Sequence, residues 1–296
     1  MARFPGSARI VYASTMTPLK ALVRSLTVAL LTCVVFLLSC QSKLIYYPRP
    51  YGEQDVRALE TGGGHKVEFA TSQGKQTAFY QPPRSTPAQA PKFVWFVFGG
   101  NGSLALDYSD QPPYWDRDCA YVFVDYPGYG LCQGSPNPDR IRENAVAAAA
   151  KVRTELGWSE AELQARSGVF GHSIGCAAAL IMADSLHLKR MVLCAPFTSL
   201  TDMGRLLLGW PLCYINMHRF DNVARLTSIT ARGGARVRMF HGTQDEVIPV
   251  SMARTLAQRF PDTVRLVEFP DSHHNDVVQD AQRQIGDAIR ELSVPD

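Results

Sequence analysis

From residue 92 onward the chain alternates between two kinds of apolar pattern, and this alternation limits its fold more than any other feature. Strand-like runs recur as "KFVWFVF" (92–98), "AYVFVDY" (120–126), "GVFG" (168–171), "RMVLCAP" (190–196), "VRMFHG" (237–242) and "VRLVEF" (264–269). Helix-forming stretches separate them. "PDRIRENAVAAAAKVRTELG" carries Pro138 and Asp139 near its start and Gly157 at its end, residue types that mark helix boundaries. "VSMARTLAQRF" and "NDVVQDAQRQIGDAIRELS" have the spacing of amphipathic helices. Strands that are apolar almost throughout are covered on both faces, so the pattern predicts an α/β fold with a mainly parallel central sheet and helices on both sides. Two earlier runs, "KVEFA" (66–70) and "TAFYQ" (77–81), are joined by "TSQG" rather than by a helix. They read as an antiparallel hairpin at the sheet edge, giving about eight strands in all. At 296 residues, 46% apolar and 19% charged, the chain has a globular composition. Two stretches break the rhythm. "PPRSTPAQAP" (82–91) is a Pro-rich surface loop. Residues 197–220 are apolar and aromatic without fitting one regular element, and we expect a small cap there rather than a helix on the sheet.

The junction "VFGHSIGCAAALI" (169–181) passes from a strand pattern directly into an Ala-rich helix pattern through Gly-His-Ser-Ile-Gly. A serine at so sharp a turn is held in a strained backbone conformation with its hydroxyl projecting into open space, and the residues two positions away must lack bulk. Gly171 and Gly175 meet that need. A nucleophilic serine requires a base to take its proton and a carboxylate to orient the base. In an open α/β sheet ligands bind beyond the carboxyl ends of the strands, so the partners should follow later strands. Asp245 in "VRMFHGTQDEVIP" and His273 and His274 in "VRLVEFPDSHHNDVV" stand there. Only one histidine can face the site, and His274 is favoured. The oxyanion that develops needs two N–H donors. We expect the backbone N–H of Ile174, at the start of the helix after the serine, and that of Asn101, in the loop "GGNGSLALD" after the first parallel strand. Asp202 is an alternative acid, and His172 is expected to be a packed histidine turned away from the hydroxyl. The apolar residues Leu206, Leu207, Leu208, Trp210, Tyr214 and Met217 read either as a wall for an acyl chain or as core.

The N-terminus has a different character. Residues 1–39 hold Arg3, Arg9, Lys20 and Arg24 and no acid; the rest of the chain has 26 basic against 27 acidic residues, so the formal charge of +3 belongs to the leader. No basic stripe points to nucleic acid. "LTVALLTCVVFLLSC" is an apolar run of 14 residues before Cys40, short for a membrane span and suited to a signal-peptide core. It resembles the bacterial lipobox, which makes Cys40 the expected lipidation site; an uncleaved anchor is the competing reading, and Met16 is an alternative start. This divides the chain into a signal peptide (1–39), a tether and lead-in (40–64) and the main domain (65–296). It places that domain on the membrane, outside the cytoplasm in the cell envelope, with an outer membrane compatible with Gln41. No Cys or His spacing suggests a metal site, so no metal or cofactor is expected, and Cys132 and Cys213, in expected loops, are candidates for a disulfide.

Several ordered motifs together carry a family resemblance: "GGNG" (99–102), "DYPGYG" (125–130), "GHSIG" (171–175), "APFTSL" (195–200), "HGTQDEVIP" (241–249) and "HND" (274–276). From about Leu44 to near the C-terminus the chain resembles the α/β-hydrolase superfamily, and within it the serine hydrolases related to the depalmitoylating α/β-hydrolase-domain proteins. The resemblance implies a Ser173–His274–Asp245 triad that cleaves an ester or thioester of a small or acylated substrate, and it supports His274 because the family's catalytic histidine precedes Asn-Asp. One departure is Gly99, where the family often has histidine. Two rivals stay in view. The first is a non-catalytic scaffold on the same fold. The second is an NAD-binding protein, because Gly100-x-Gly102-x-x-Ala105 with Asp125 some 20 residues on imitates a dinucleotide fingerprint.

Overall fold

The computed structural model describes residues 17–87 and 89–294, without the side chains of residues 37–40, 44 and 53. Met16 and the Cys40 side chain, which bear on the expected start and lipidation site, therefore lie outside the described residues. The chain divides into two units, Met1–Cys40 and Gln41–Asp296. In the first, the described residues form most of helix α1 (Pro18–Ile45). Its stretch Pro18–Phe36 is long and apolar enough to cross a membrane by length and composition. It is longer than the apolar run counted from the sequence because it also takes in Lys20 and Arg24.

The second unit is built on an eight-stranded sheet in the order β1-β2-β4-β3-β5-β6-β7-β8. The strands are β1 (His65–Thr71), β2 (Gly74–Gln81), β3 (Val94–Phe98), β4 (Ala120–Val124), β5 (Ser167–His172), β6 (Arg190–Cys194), β7 (Arg236–Gly242) and β8 (Val264–Phe269). β1 and β2 form the expected hairpin and β2 runs antiparallel to β4, whereas every pair from β4 through β8 is parallel. The central strand β3 shows why the sheet is covered twice. Val94, Phe96 and Phe98 belong to one core cluster and Trp95 and Val97 to the other, as alternation across a pleat requires. Helices α3 (Pro138–Glu155), α5 (Ile174–Leu186), α7 (Asn222–Ala231) and α8 (Val250–Arg259) supply Ala148, Leu180, Leu226 and Leu256 to the first cluster. Helices α2 (Glu53–Thr61) and α10 (Gln282–Leu292) supply Leu59 and Ile289 to the second. A short helix, α4 (Glu160–Ala165), is closed by a capping box from Ser159 and Glu162.

Two details differ from the sequence reading. The last amphipathic stretch is two helices, α9 (Val277–Asp280) and α10, which meet at Ala281. After β3 the chain makes only one turn of 3-10 helix, Ala105–Tyr108, in keeping with Pro112 and Pro113 just beyond it and unlike the long helix that a dinucleotide fingerprint needs. Cys132 and Cys213 are both free and buried. The Cys132 thiol faces the β2 backbone at Thr77, its Sγ donating to the Thr77 carbonyl oxygen, and the two candidate cysteines are not bridged. Residues 197–220 form helix α6 (Leu200–Leu208) and a 3-10 turn (Leu212–Ile215) between β6 and α7. Ser199 caps α6 by accepting from the Asp202 N–H.

Candidate active site

Ser173 stands between the last residue of β5 and the first of α5 with φ 57° and ψ −122°. This is a conformation that costs a non-glycine residue about 1–3 kcal/mol and persists only where its surroundings enforce it. They do so here. The Ser173 N–H donates to the Cys194 carbonyl at the end of β6, at 2.9 Å, and the Ser173 carbonyl accepts from the Cys176 N–H at 3.0 Å. The flanking glycines are sterically required. A Cβ on Gly171 would lie 2.3 Å from the Gly175 carbonyl oxygen, and one on Gly175 would lie 2.3 Å from that of Phe98. The turn therefore packs against the end of β3, which is where the loop after that strand begins.

The structure brings Ser173, His274 and Asp245 together. Ser173 Oγ is 3.0 Å from His274 Nε2, and His274 Nδ1 is 2.8 Å from Asp245 Oδ2. With Nδ1 carrying the proton, the imidazole donates to the carboxylate and its free Nε2 accepts from the hydroxyl. Asp245 is held from several directions. Oδ1 accepts from the N–H groups of Val247 (2.9 Å) and Ile248 (2.7 Å). Oδ2 also lies 3.2 Å from Nε2 of the fully buried His241, whose N–H is shared with the Ile248 carbonyl at 2.8 Å. Burial by itself would raise the Asp245 carboxyl. The hydrogen bonds from His241, His274 and Ile248 outweigh it and hold the group well below the usual carboxylate range. The acid therefore stays ionised where a charge is needed to steady an imidazolium.

The other candidates separate cleanly. His273 is exposed and pairs with Glu246, whose carboxylate also accepts from the His274 N–H. Asp202 accepts from Thr198 Oγ1 and Ser199 Oγ, both at 2.7 Å, and works as part of the α6 start. His172 is buried, as expected, but does more than fill space. Its Nε2 donates to the His274 carbonyl at 3.0 Å and its Nδ1 accepts from Tyr108 Oη at 2.8 Å, while Tyr108 Oη accepts from the Gly100 N–H. Burial, and next the proximity of His274, push the His172 pKa down to about 4, so it is neutral and its tautomer is fixed by these partners. No local pattern points to the Tyr108 contact, since 64 residues separate the pair. His241 was visible only as the first letter of its motif, four residues before Asp245.

The loop after β3 lies directly beside the serine: a Cβ on Gly100 would be 3.6 Å from Ser173 Cβ. Among the described residues the backbone N–H groups of Asn101 and Ile174 have no acceptor within the chain. The Asn101 side chain fixes this loop. Its Oδ1 accepts from the Tyr47 N–H (3.1 Å) and Tyr129 Oη (3.0 Å), and its Nδ2 donates to the Ile45 carbonyl (2.5 Å). Gly99 has a local reason: a Cβ there would meet the Tyr108 ring at 3.0 Å, so Tyr108 takes the space a side chain would need. A cavity of about 250 Å³ behind this loop is lined by Ser103, Tyr108, Gln111, His172 and Asn275. The six apolar residues of 206–217 are not core; Leu207 is 78% exposed and Trp210 77%.

A hydroxyl bonded to an imidazole that is anchored on a buried carboxylate can lose its proton as it attacks a carbonyl carbon, and two nearby N–H donors can receive the oxygen's growing charge.

Comparison with known proteins agrees with this architecture. No family model matches the chain. An uncharacterized protein of Mycobacterium tuberculosis is 27% identical over 260 residues, which span 87% of this chain and 88% of that protein. Human alpha/beta hydrolase domain-containing protein 17C is 26% identical over 170 residues, 56% of this chain, and the match spans about half of that relative's length (47%). Among solved structures an esterase of Pyrococcus furiosus aligns with a TM-score of 0.64 at 14% identity, covering 84% of this chain and 99% of its own.

Proposed function

This chain has the α/β-hydrolase fold, and from that premise we propose that it is a membrane-tethered serine hydrolase acting on carboxylic esters or thioesters. The observation that carries the reading is the continuous line of hydrogen bonds from Ser173 Oγ through His274 to Asp245, at 3.0 and 2.8 Å. Esterase and hydrolase names among its relatives and structural neighbours support the same chemistry.

In this mechanism Ser173 Oγ attacks the substrate carbonyl while its proton passes to His274 Nε2. The N–H groups of Asn101 and Ile174 stabilise the tetrahedral oxyanion. The imidazolium, steadied by Asp245, returns its proton to the departing alcohol or thiol, leaving an acyl group on Ser173. A water then gives its proton to His274 as it attacks the acyl carbon, and the imidazolium returns that proton to Ser173 Oγ as the carboxylic acid leaves. Tethering is through lipidated Cys40 or through the uncleaved apolar helix. Either places the domain in the cell envelope, outside the cytoplasm.

A fluorophosphonate probe tests the proposal. Ser173 becomes labelled, and Ser173→Ala abolishes labelling without changing the thermal unfolding midpoint by more than a few degrees. A folded wild-type protein that resists the probe would overturn the reading. A series of p-nitrophenyl esters of increasing chain length, with a thioester beside it, then ranks the substrates.

A further inference from the structure

Helix α6 has no buried residue. It presents Leu206 (60% exposed), Leu207 (78%) and Leu208 (55%), followed at once by Trp210 (77%) and then by Met217 (68%). A single exposed leucine is ordinary, but a run of five large apolar side chains on one excursion marks a surface that meets something apolar. Residues 203–220 contain Arg205 and Arg219 and no acidic residue, and both arginines are exposed.

What covers this surface follows from where the tether joins the domain. The tether enters at Gln41, and Gln41 is fastened to this same excursion. Its Nε2 donates to the Ile215 carbonyl at 2.9 Å and its Oε1 accepts from the Met217 N–H at 2.7 Å. Two further contacts, Tyr46 Oη to His218 Nδ1 and Ser42 Oγ to His218 Nε2, hold the next turn of chain to it. A lipid on Cys40 would sit one residue from Gln41. An uncleaved anchor ending at Phe36 leaves five residues, which span at most about 18 Å. Both forms of tether therefore oblige the excursion to lie close to the membrane surface.

We infer that residues 205–217 dip into the leaflet to which the chain is tethered. The leucines and Met217 enter the acyl region, Arg205 and Arg219 meet anionic headgroups at its rim, and Trp210 lies at the boundary between the two. Trp is a side chain favoured at that depth. The occupant is a lipid bilayer, and the inference rests on the tethered reading above. Asn101 is bonded to Ile45 and Tyr47, so the same stretch of chain leads from the membrane to the loop beside Ser173.

The full chain reconstituted in phosphatidylcholine–phosphatidylglycerol vesicles, with and without brominated acyl chains, tests this. Trp95, Trp115 and Trp158 are buried, and the segment 1–40 contains no tryptophan. Bromine-dependent quenching of indole emission therefore reports on Trp210. The expected result is flotation with the vesicles and quenching by brominated lipid that is lost in Trp210→Phe and reduced in Leu207→Glu. A chain that floats but is quenched equally with and without Trp210, or not at all, overturns the inference and leaves the tether standing. A chain that does not float removes both.

Discussion

Asp245 and Asp202 are both aspartates just beyond parallel strands, and from composition and position either could orient the base. Their surroundings separate them. Asp245 faces His274 and His241, whereas Asp202 faces two hydroxyls of its own helix start. Asp245→Asn should lower kcat by about 10⁴-fold with KM little changed, because the imidazole loses the partner that fixes its tautomer. Asp202→Asn should cost about 0.5 kcal/mol of stability, because it removes a negative charge from the first turn of α6 while an oxygen remains to accept from Thr198 and Ser199, and it should leave kcat nearly intact. Steady-state kinetics and denaturant melts on both variants check this. The pH dependence follows from the same contacts. The folded carboxyl of Asp245 lies below its unfolded value, so its contribution to stability is complete above about pH 4 and is lost as the pH falls through the folded value. The gap in unfolding midpoint between wild type and Asp245→Asn should therefore shrink on acidification. At this scale much was legible: Ser173, Asp245 and His274 follow from turn chemistry and strand ends. His172, Tyr108 and His241 were not. Their roles depend on contacts that only the folded sheet creates.

The strand-turn-helix at β5 and α5 is where sequence and geometry agree most closely, because a close backbone approach leaves a glycine signature. Gly175→Ala sets a methyl carbon against the Phe98 and Gly99 carbonyls at 2.3 and 2.6 Å. Overpacking of this kind costs about 1–3 kcal/mol. It also shifts the start of the loop that carries Asn101, so the variant should lose both stability and turnover in a combined melt and ester assay. Helix α6 shows the opposite case. Its three consecutive leucines follow no single helix face, so the run from 197 to 220 fits no regular element by spacing, and spacing cannot tell a segment packed on a core from one turned outward. The apolar character was legible, but the helix and its destination were not. The break at Ala281 was hidden for a similar reason, since helical spacing continues on both sides of it.

For the molecule as a whole, the parallel sheet with an antiparallel edge was legible because strands buried on both faces read as continuous apolar runs. Cys176 and Cys194 read as buried thiols from their apolar runs, but the state of Cys132 and Cys213 was not legible, because burial of a thiol in a loop depends on which strands become neighbours. Cys119, Cys132, Cys176, Cys194 and Cys213 are all free and buried. Burial pushes the Cys132 thiol up to about 12, so little of it is the reactive thiolate. Reductant should accordingly leave the thermal midpoint unchanged, and a thiol reagent should modify these five only after unfolding. A fall in the midpoint on adding dithiothreitol would reveal a bridge.

The short run from Gln41 to Tyr47 sets a limit on how the protein can be trimmed. A polypeptide beginning at Gln41 keeps every clasp on His218, Ile215 and Asn101. One beginning past Tyr47 surrenders them together and leaves the Asn101 carboxamide only the Tyr129 phenol. Shortened versions on the two sides of that boundary would differ in how the loop beside Ser173 is held, although both keep Ser173, His274 and Asp245.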